Sequence, residues 1–361
     1  MLRKVLTVTA VTLLSLAGAA LPAGSATAAS QADPPPTPKK LFTIRDTRVN
    51  ESSGLAKSQK YEGIWWTVND SGDTARVFGI NASGKVKMVL SFKAPVKDVE
   101  AIAVDRDGMI YIADIGDNKS NRDMIEVYTI PEPAQLQDEP SVKFHRYDFK
   151  YPDGAHDAET LLIEPETKQM FFVTKVASGK GGYYAAPEQA SRQGTNQLTK
   201  LADAPAGVTD GTFMPDGQRV VLRSYVDVAS VDWGTTPMLV GRDPAPLAQG
   251  ESVAVGPSGD DLLIGSEGKG SVVYQVRVPP RKAAASPSAT ATPKAAAGDT
   301  SQTKSNHNLR WILIGAALFG FIITIVTFPP GRRERLDRMA ENARLTGQTP
   351  PDPRGRRRTT V

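Results

Sequence analysis

Residues 100–117 read "EAIAVDRDGMIYIADIGD": an acid opens a short apolar run, a Gly-containing turn follows, and a second apolar run ends in Asp-x-Gly-Asp. Short runs rich in Val, Ile and Tyr, separated by turn residues, are typical of β-strands. Four other segments begin in the same way: "ESSGLA" from Glu51, "ETLLIEPETK" from Glu159, "DGTFMPDG" from Asp210 and "ESVAVGPSG" from Glu251. The starts are 49, 59, 51 and 41 residues apart (100 − 51, 159 − 100, 210 − 159 and 251 − 210), and a second apolar run follows each one. The chain is therefore predicted to repeat one β-unit five times.

Repeats of this length, with about four strands each, are typical of a β-propeller. We predict an all-β propeller of five blades over residues 41–278. The strand "LFTIRDTRV" at residues 41–49 precedes the first repeat, while the last repeat shows three strands. We expect the N-terminal strand to close the last blade, because this pairing removes an exposed sheet edge. Six irregular blades are the alternative, because the stretches after Glu100 and Glu159 are long enough to contain another blade.

Both ends of the chain carry targeting features. Residues 1–28 have the basic start, apolar stretch and small-residue cleavage site of a secretory signal peptide. A Pro-rich lead-in (29–40) follows it, and a Pro/Ala/Ser/Thr-rich tether (279–308) follows the propeller. Residues 309–328 predict a single transmembrane helix, whose uncharged part spans roughly 27 Å. The tail 329–361 has nine Arg against four acids, which places it in the cytoplasm and predicts a type I cell-membrane protein with an extracellular propeller.

The charge of the whole chain is misleading about its partners. The formal net charge is +4, but residues 41–278 contain 25 Lys plus Arg and 33 Asp plus Glu, so their net charge is 25 − 33 = −8. The basic excess lies in the tails, so nothing predicts binding to nucleic acid. The chain has no Cys, which excludes disulfides, thiolate catalysis and Cys-ligated zinc.

Acidic residues are predicted to converge at one end of the propeller channel. The inner strand of each blade lines the channel, and the loop between the second and third strands lies on the face where the inner strand begins. The acids that open the five inner strands are Glu51, Glu100, Glu159, Asp210 and Glu251. The loops of blades one and two, in "VNDSGDTARVF" and "IADIGDNKSNR", add Asn69, Asp70, Asp73, Asp114, Asp117 and Asn118. All of these side chains would surround one mouth of the channel.

Carboxylates that converge in this way need a cation, a basic partner or protons. Oxygen ligands without Cys select hard cations, so the inner-strand acids are candidate ligands of Ca²⁺. The alternative for the inner-strand acids is that they are solvated or paired with Arg, and the alternative for the loops is that Asp-x-Gly-Asp is only a tight turn. Four cations are expected near the mouth, and they would either bind a phosphate or carboxylate ligand or neutralise the acids: Arg76, Arg122, Lys175 and Arg223.

Signatures of an enzyme are sparse. His156, in "AHDAET", precedes Glu159 and is the candidate catalytic residue, with an ordinary loop histidine as the alternative. The propeller segment contains no G-x-S-x-G elbow, phosphate-binding loop or His-Glu-x-x-His arrangement. Its catalytic residues therefore stay unassigned.

At "ESSGLA", "WWTVNDSGD", "DVEAIAVD", "YIADIGDN" and "HDAETLLI" the chain resembles a family of secreted or membrane-anchored actinobacterial β-propellers, and it is distantly similar to phytase-like and TolB-like propellers. The phytase-like resemblance implies a Ca²⁺ site of channel-mouth carboxylates and, in that family, phosphoester hydrolysis. The leading hypothesis is an extracellular propeller that binds an unidentified ligand or protein at its acidic mouth with Ca²⁺. The competing hypothesis is a metal-dependent phosphoesterase or esterase.

Overall fold

The computed structural model describes residues 37–281, and these residues form 21 β-strands and no helix. The strands are, in chain order, β1 Lys39–Thr43, β2 Ser52–Lys57, β3 Ile64–Asn69, β4 Arg76–Asn81, β5 Val86–Ser91, β6 Val99–Val104, β7 Met109–Asp114, β8 Ile125–Pro131, β9 His145–Lys150, β10 Ala158–Ile163, β11 Met170–Thr174, β12 Gly181–Ala185, β13 Thr195–Gln197, β14 Thr199–Ala204, β15 Val208–Phe213, β16 Arg219–Ser224, β17 Asp227–Asp232, β18 Met238–Pro244, β19 Ser252–Val255, β20 Asp261–Gly265 and β21 Val272–Arg277.

The strands pair into five sheets, which are the five blades of a β-propeller. From the channel outward the blades are β2-β3-β4-β5, β6-β7-β8-β9, β10-β11-β12-β14, β15-β16-β17-β18 and β19-β20-β21-β1. The inner strands β2, β6, β10, β15 and β19 lie next to one another in a closed ring. The prediction of five blades with about four strands each is confirmed.

The six-bladed alternative is wrong, because the two long stretches pack on the edges of blades that already exist. In the stretch after Glu100, Glu139 bridges to Leu90 on the outer strand of blade one. In the stretch after Glu159, β13 pairs in parallel with β9, the outer strand of blade two. Both excursions cover a sheet edge that would otherwise be free to pair with another chain.

Side chains that alternate between the two faces of each second strand form the apolar cores between neighbouring blades. Successive side chains of a strand point to opposite faces of its sheet. Trp65 accordingly packs with residues of blade five and the adjacent Trp66 with residues of blade two. Phe171 faces blade four, whereas Phe172 faces blade two. Each pair buries two large side chains, so one strand contributes to two cores at once.

The N-terminal strand closes the propeller, as predicted, although it begins at Lys39, inside the predicted lead-in, and ends at Thr43. β1 runs antiparallel to β21, and Thr43 lies opposite Val272. Because β21 runs away from the end where the inner strands begin, Lys39 and Arg277 both lie toward the other end of the channel. Beyond β21, the Pro279 carbonyl accepts a hydrogen bond of 2.7 Å from the Ser230 hydroxyl of blade four.

The predicted signal peptide (1–28), transmembrane helix (309–328) and cytoplasmic tail (329–361) lie outside the described residues. Most of the lead-in and of the tether lies outside them as well. Within residues 37–281 no helix is long and apolar enough to cross a membrane.

Candidate functional site

A polar cavity of about 150 Å³ lies at the end of the channel where the inner strands begin, and we call it the mouth pocket. Its lining residues come from all five blades: Ser53, Asp70, Glu100, Asn118, Glu159, Lys175, Tyr225, Gln249, Glu251 and Glu267. Six of them were predicted from the sequence to lie at the mouth: Asp70, Glu100, Asn118, Glu159, Lys175 and Glu251. The structure therefore brings together six of the fifteen residues predicted at the mouth.

β-Bulges direct two of the glutamates into the mouth pocket. In blade two, Val99 lies opposite Asp114 and Ala101 opposite Ala113, so Glu100 is an extra residue in the ladder. Blade three repeats this pattern, with Glu159 as the extra residue. A bulged residue leaves the regular pairing and can aim its side chain away from the sheet.

Asp210 does not line the mouth pocket, and its predicted position there is wrong. In blade four Val208 pairs with Ser224 and Asp210 with Arg223, so the bulged residue is Thr209. Asp210 lies one position further along the strand and turns into the interior. There its carboxylate accepts hydrogen bonds from the backbone N–H groups of Gly211 (2.8 Å) and Val253 (2.7 Å).

Glu51 lies beside the mouth pocket but is not among its lining residues. In blade one Ser52 pairs with Asn69, which places Glu51 just before the inner strand. Its carbonyl accepts a 2.9 Å hydrogen bond from the N–H of Asp70. Glu51 therefore fixes the backbone of a pocket residue.

Three carboxylates of the site, those of Asp70, Asp98 and Glu100, lie close together. Each offers one oxygen, and the three oxygens lie within 4.8 Å of one another. Burial and then the charge of Asp70 raise the pKa of Asp98 to about 6, and the same two causes raise the pKa of Glu100. Burial also raises the pKa of Asp70. Ionisation of all three carboxyl groups is therefore unfavourable unless a cation binds between them.

Asp98 was missed in the sequence because the repeats were aligned on Glu100. The signal was present, since Asp98 and Asp157 both stand two residues before the bulged glutamate of their blades. The backbone N–H of Asp98 donates a hydrogen bond of 3.0 Å to the carboxylate of Asp114, which holds this segment in place.

Gly116 makes room for the three-carboxylate cluster. A Cβ atom at this position would lie 2.5 Å from Oδ2 of Asp98 and 2.6 Å from Oε1 of Glu100. By contrast, Gly72, in the matching loop of blade one, has a positive φ of 88° and open space around it. The glycines of the two Asp-x-Gly-Asp stretches therefore differ: Gly72 lies in an open turn, whereas Gly116 packs against the candidate site.

The opposite wall of the mouth pocket contains Lys175. Its ammonium group contacts Oε1 of Glu159 and lies 3.0 Å from the hydroxyl of Tyr225. Burial raises the pKa of Glu159 to about 8, although the charge of Lys175 opposes this shift. Burial and the charge of Glu251 raise the pKa of Glu267 to about 7.

Three of the four predicted cations do not line the mouth pocket, and the pairs that Arg76 and Arg122 form with acids match the alternative that these cations neutralise the acids. Arg76 pairs with Asp73 at 2.8 Å and lies over the ring of Phe78. Arg122 pairs with the buried Asp114 and with Glu126. Among the described residues that line the mouth pocket, Lys175 is the only cation.

Arg223 is fully buried beneath Gly250, the residue before Glu251. Its Nη1 donates a 2.9 Å hydrogen bond to the carbonyl of Asp227. Burial lowers the pKa of Arg223 to about 10. This guanidinium therefore supports the backbone beside the mouth pocket and does not face into it.

The remaining predicted loop residues support the mouth from outside the pocket. Asn69 donates hydrogen bonds to the Arg48 carbonyl (2.7 Å) and to Asp73 (2.6 Å). Asp117 accepts a bond of 2.7 Å from the N–H of Arg122, and its own N–H donates to Asp157. These contacts fix the loops that deliver Asp70 and Asn118.

His156 lies in an aromatic cluster and not in the mouth pocket. Its Nε2 is 2.9 Å from Oδ1 of Asp153 and 3.1 Å from the hydroxyl of Tyr184. The ring packs edge-on against Tyr151. These contacts match the ordinary loop-histidine alternative, and nothing in them favours a catalytic role.

The donor set of the mouth pocket fits a hard divalent cation. Its carboxylate, amide and hydroxyl oxygens are ligands that Ca²⁺ accepts in flexible geometry. Asp70, Asp98 and Glu100 are the residues that would hold the ion, with Asn118 at the rim. The other end of the channel differs, since a cavity of about 170 Å³ there is lined largely by apolar side chains such as Leu55, Leu161 and Phe213.

Fold and site together define the chain as a five-bladed β-propeller with an acidic channel mouth. No protein-family model matches the chain. A rice (Oryza sativa subsp. japonica) protein described as a ribosome biogenesis protein BOP1 homolog is 24% identical over 235 residues, covering 60% of this chain and 34% of that protein. The chain thus spans about a third of the length of this relative.

Solved structures of low similarity include a gluconolactonase from Xanthomonas campestris, with 12% identity, coverage of 66% of this chain and 88% of that one, and a TM-score of 0.40. The soluble aldose sugar dehydrogenase of Escherichia coli has 11% identity, coverage of 68% and 99%, and a TM-score of 0.42. The five-bladed assignment rests on the strand pairings of this chain and not on these likenesses.

Proposed function

We propose that the propeller binds a divalent cation, Ca²⁺ in the first place, at the mouth pocket, and through it an extracellular ligand or protein partner. The observation that carries this proposal is the cluster of Asp70, Asp98 and Glu100, whose oxygens lie within 4.8 Å of one another. Carboxylates held so close in a partly buried setting repel one another, and a divalent cation that binds between them removes this repulsion.

The contacts around the cluster support binding more than catalysis. The hydrolase hypothesis requires a base near the reacting atoms and cations that bind the phosphate. In the part of the chain that the structure describes, His156 pairs with Asp153, and Arg76 and Arg122 pair with acids outside the pocket. We therefore place the binding function first.

The proposal is tested by thermal unfolding and calorimetry of the EDTA-treated full-length protein, with and without Ca²⁺. A cation at one hundred times its Kd should stabilise the native state by about 2.7 kcal/mol. Glu100→Gln should lose most of this effect, while the exposed Glu188→Gln should keep it. Absence of any Ca²⁺ effect, or equal effects in Glu100→Gln and the unchanged protein, would refute the proposal.

We also propose that this propeller is extracellular and anchored by a single helix at residues 309–328. The support is the sequence alone: the signal-peptide pattern at residues 1–28, the uncharged apolar run and the basic tail. Protease treatment of intact cells should degrade the propeller and spare an epitope placed at residues 329–361. Protection of the propeller would exclude this topology.

A further inference from the structure

One buried carboxylate oxygen in the mouth pocket has no partner. Lys175 contacts Oε1 of Glu159, but Oε2 of the same side chain has no hydrogen bond within the described structure. Glu159 is only 4% exposed. A buried acceptor without a donor is costly, and nearly all such groups in proteins are satisfied. Because Glu159 lines the mouth pocket, a ligand that enters the pocket can supply the missing donor.

The charges of the pocket indicate which kind of donor fits. The carboxylates that line it, together with Asp98 of the three-carboxylate cluster, are those of Asp70, Asp98, Glu100, Glu159, Glu251 and Glu267. When all six are ionised, one divalent cation and Lys175 offset three of the six negative charges. An anionic group would be repelled there, whereas an ammonium group brings a positive charge and three N–H donors.

We propose that the Glu159 wall of the mouth pocket is a subsite for an ammonium group, contributed by a free aliphatic amine or by a lysine side chain of a polypeptide. Glu159 accepts a hydrogen bond from this group through Oε2, and Glu251 and Glu267 complete the negative wall. This inference deepens the proposed binding function and rests on it, since both concern the same mouth.

The rim of this wall offers a surface for the carbon chain of such a ligand. Tyr225 and Val226, in the β16–β17 turn, are 39% and 62% exposed. The ring of Tyr225 lies 5.2 Å from the ammonium nitrogen of Lys175, so the ring face already accommodates one cation of this type. An aliphatic chain lying across Tyr225 would point its ammonium group toward Glu159.

The test measures binding of 1,4-diaminobutane to the full-length protein in saturating Ca²⁺ by calorimetry, with 1,4-butanediol as the matched neutral probe. Binding of the diamine and not the diol is expected. Glu159→Gln should lower the affinity for the diamine at least about tenfold, as expected when a charge-assisted hydrogen bond is lost. Glu188→Gln, an exposed site, should leave the affinity unchanged. Glu267→Gln, on a partly exposed side chain, provides a milder second variant and should weaken binding about threefold through reduced charge alone.

A second arm separates the two sources of the ammonium group by comparing a lysine tripeptide with its Nε-acetyl-lysine counterpart. Preference for the free lysine peptide over the diamine identifies a polypeptide ligand, and the reverse identifies a free amine. Equal binding of diamine and diol, no binding of either amine, or undiminished diamine binding in Glu159→Gln (or, if that variant does not fold, in Glu267→Gln) would overturn the subsite. Loss of the Ca²⁺ effect with amine binding retained would instead refute the cation proposal alone.

Discussion

Gly116 lies so close to Asp98 that any side chain at residue 116 would displace the Asp98 carboxylate. The added Cβ would lie 2.5 Å from Oδ2 of Asp98, nearer than real Cβ contacts allow. Gly116→Ala should therefore move the three carboxylates of the cluster apart. The affinity for Ca²⁺ should fall about tenfold or more, as expected when one charged ligand is displaced. Calorimetric titration with Ca²⁺ measures this change.

The matched control for this prediction is Gly234→Ala, because Gly234 is exposed and has open space around it. It should bind Ca²⁺ like the unchanged protein. Equal affinities of the two alanine variants would show that the packing of Gly116 does not shape the site.

Removal of the Lys175 charge should destabilise the protein in a pH-dependent way. Glu159 is buried beside Lys175, and without that cation its pKa should rise further above the present value of about 8. Lys175→Met should cost about 2 kcal/mol of unfolding free energy near pH 8, since a buried carboxylate loses its partner. The loss should shrink toward pH 6, where the carboxyl group is protonated in both proteins.

Urea unfolding at the two pH values checks this effect. Lys180→Met is the control, because the Lys180–Asp203 pair is exposed and should contribute less than about 1 kcal/mol. A loss for Lys175→Met that does not depend on pH would argue against an ion pair with Glu159.

The cation-free protein should become less stable as the pH rises from about 5 to 8. The pKa values of Asp98, Glu267 and Glu159 are raised to about 6, 7 and 8, above the values near 4 of an unfolded chain. The folded state then binds more protons than the unfolded state, so unfolding free energy falls with pH through this window. Ca²⁺ needs the ionised carboxylates and should restore stability near pH 8 but have little effect near pH 5.

Urea unfolding in EDTA or Ca²⁺ across this pH range tests the prediction, and Asp98→Asn should flatten the lower part of the curve. Stability that increases with pH in EDTA, or equal stabilisation by Ca²⁺ at both ends of the range, would contradict it.

Arg122 should contribute far more to the unfolding free energy than Arg76. Arg122 pairs with two buried acids, Asp114 and Glu126, and donates a 2.8 Å hydrogen bond to the carbonyl of Gly116. Arg122→Met should cost about 3–5 kcal/mol, because it removes the ion-pair partner of the fully buried Asp114, whereas Glu126 keeps its pairs with Lys97 and Arg146. Arg76→Met should cost no more than about 1 kcal/mol, because its pair with Asp73 is partly exposed. Denaturant unfolding of both variants measures the two losses of unfolding free energy. Similar losses would contradict the prediction that the Arg122 pairs contribute more.

The repeat pattern predicted the fold because every inner strand begins with a recognisable sequence. The five starts and the alternation that sends Trp65 and Trp66 to different blades are properties of the strands themselves. The two edge-covering excursions were not predictable, because β13 pairs with a strand about 50 residues earlier in the chain. Such a pairing depends on tertiary contacts and leaves no periodic signal.

The residues of the site could be predicted only where the sequence showed which positions of an inner strand face the channel. Glu100 and Glu159 were predicted because an acid opens each apolar run, and the structure shows both as bulged residues at the same point of two blades. Asp210 was misassigned by a single residue, which is enough to move a side chain from the channel into the interior. Glu267 and Tyr225 were missed because they reach the mouth pocket from loops and a hairpin turn that share no pattern with the inner strands.

The closure of the last blade also decides the direction from which a ligand can arrive. Both Lys39 and Arg277 lie toward the channel end opposite the mouth pocket, so the backbone enters and leaves the propeller at the far face. A segment that continues the chain before Lys39 or after Arg277 therefore starts at that far face, on the side of the channel away from Glu100 and Glu159.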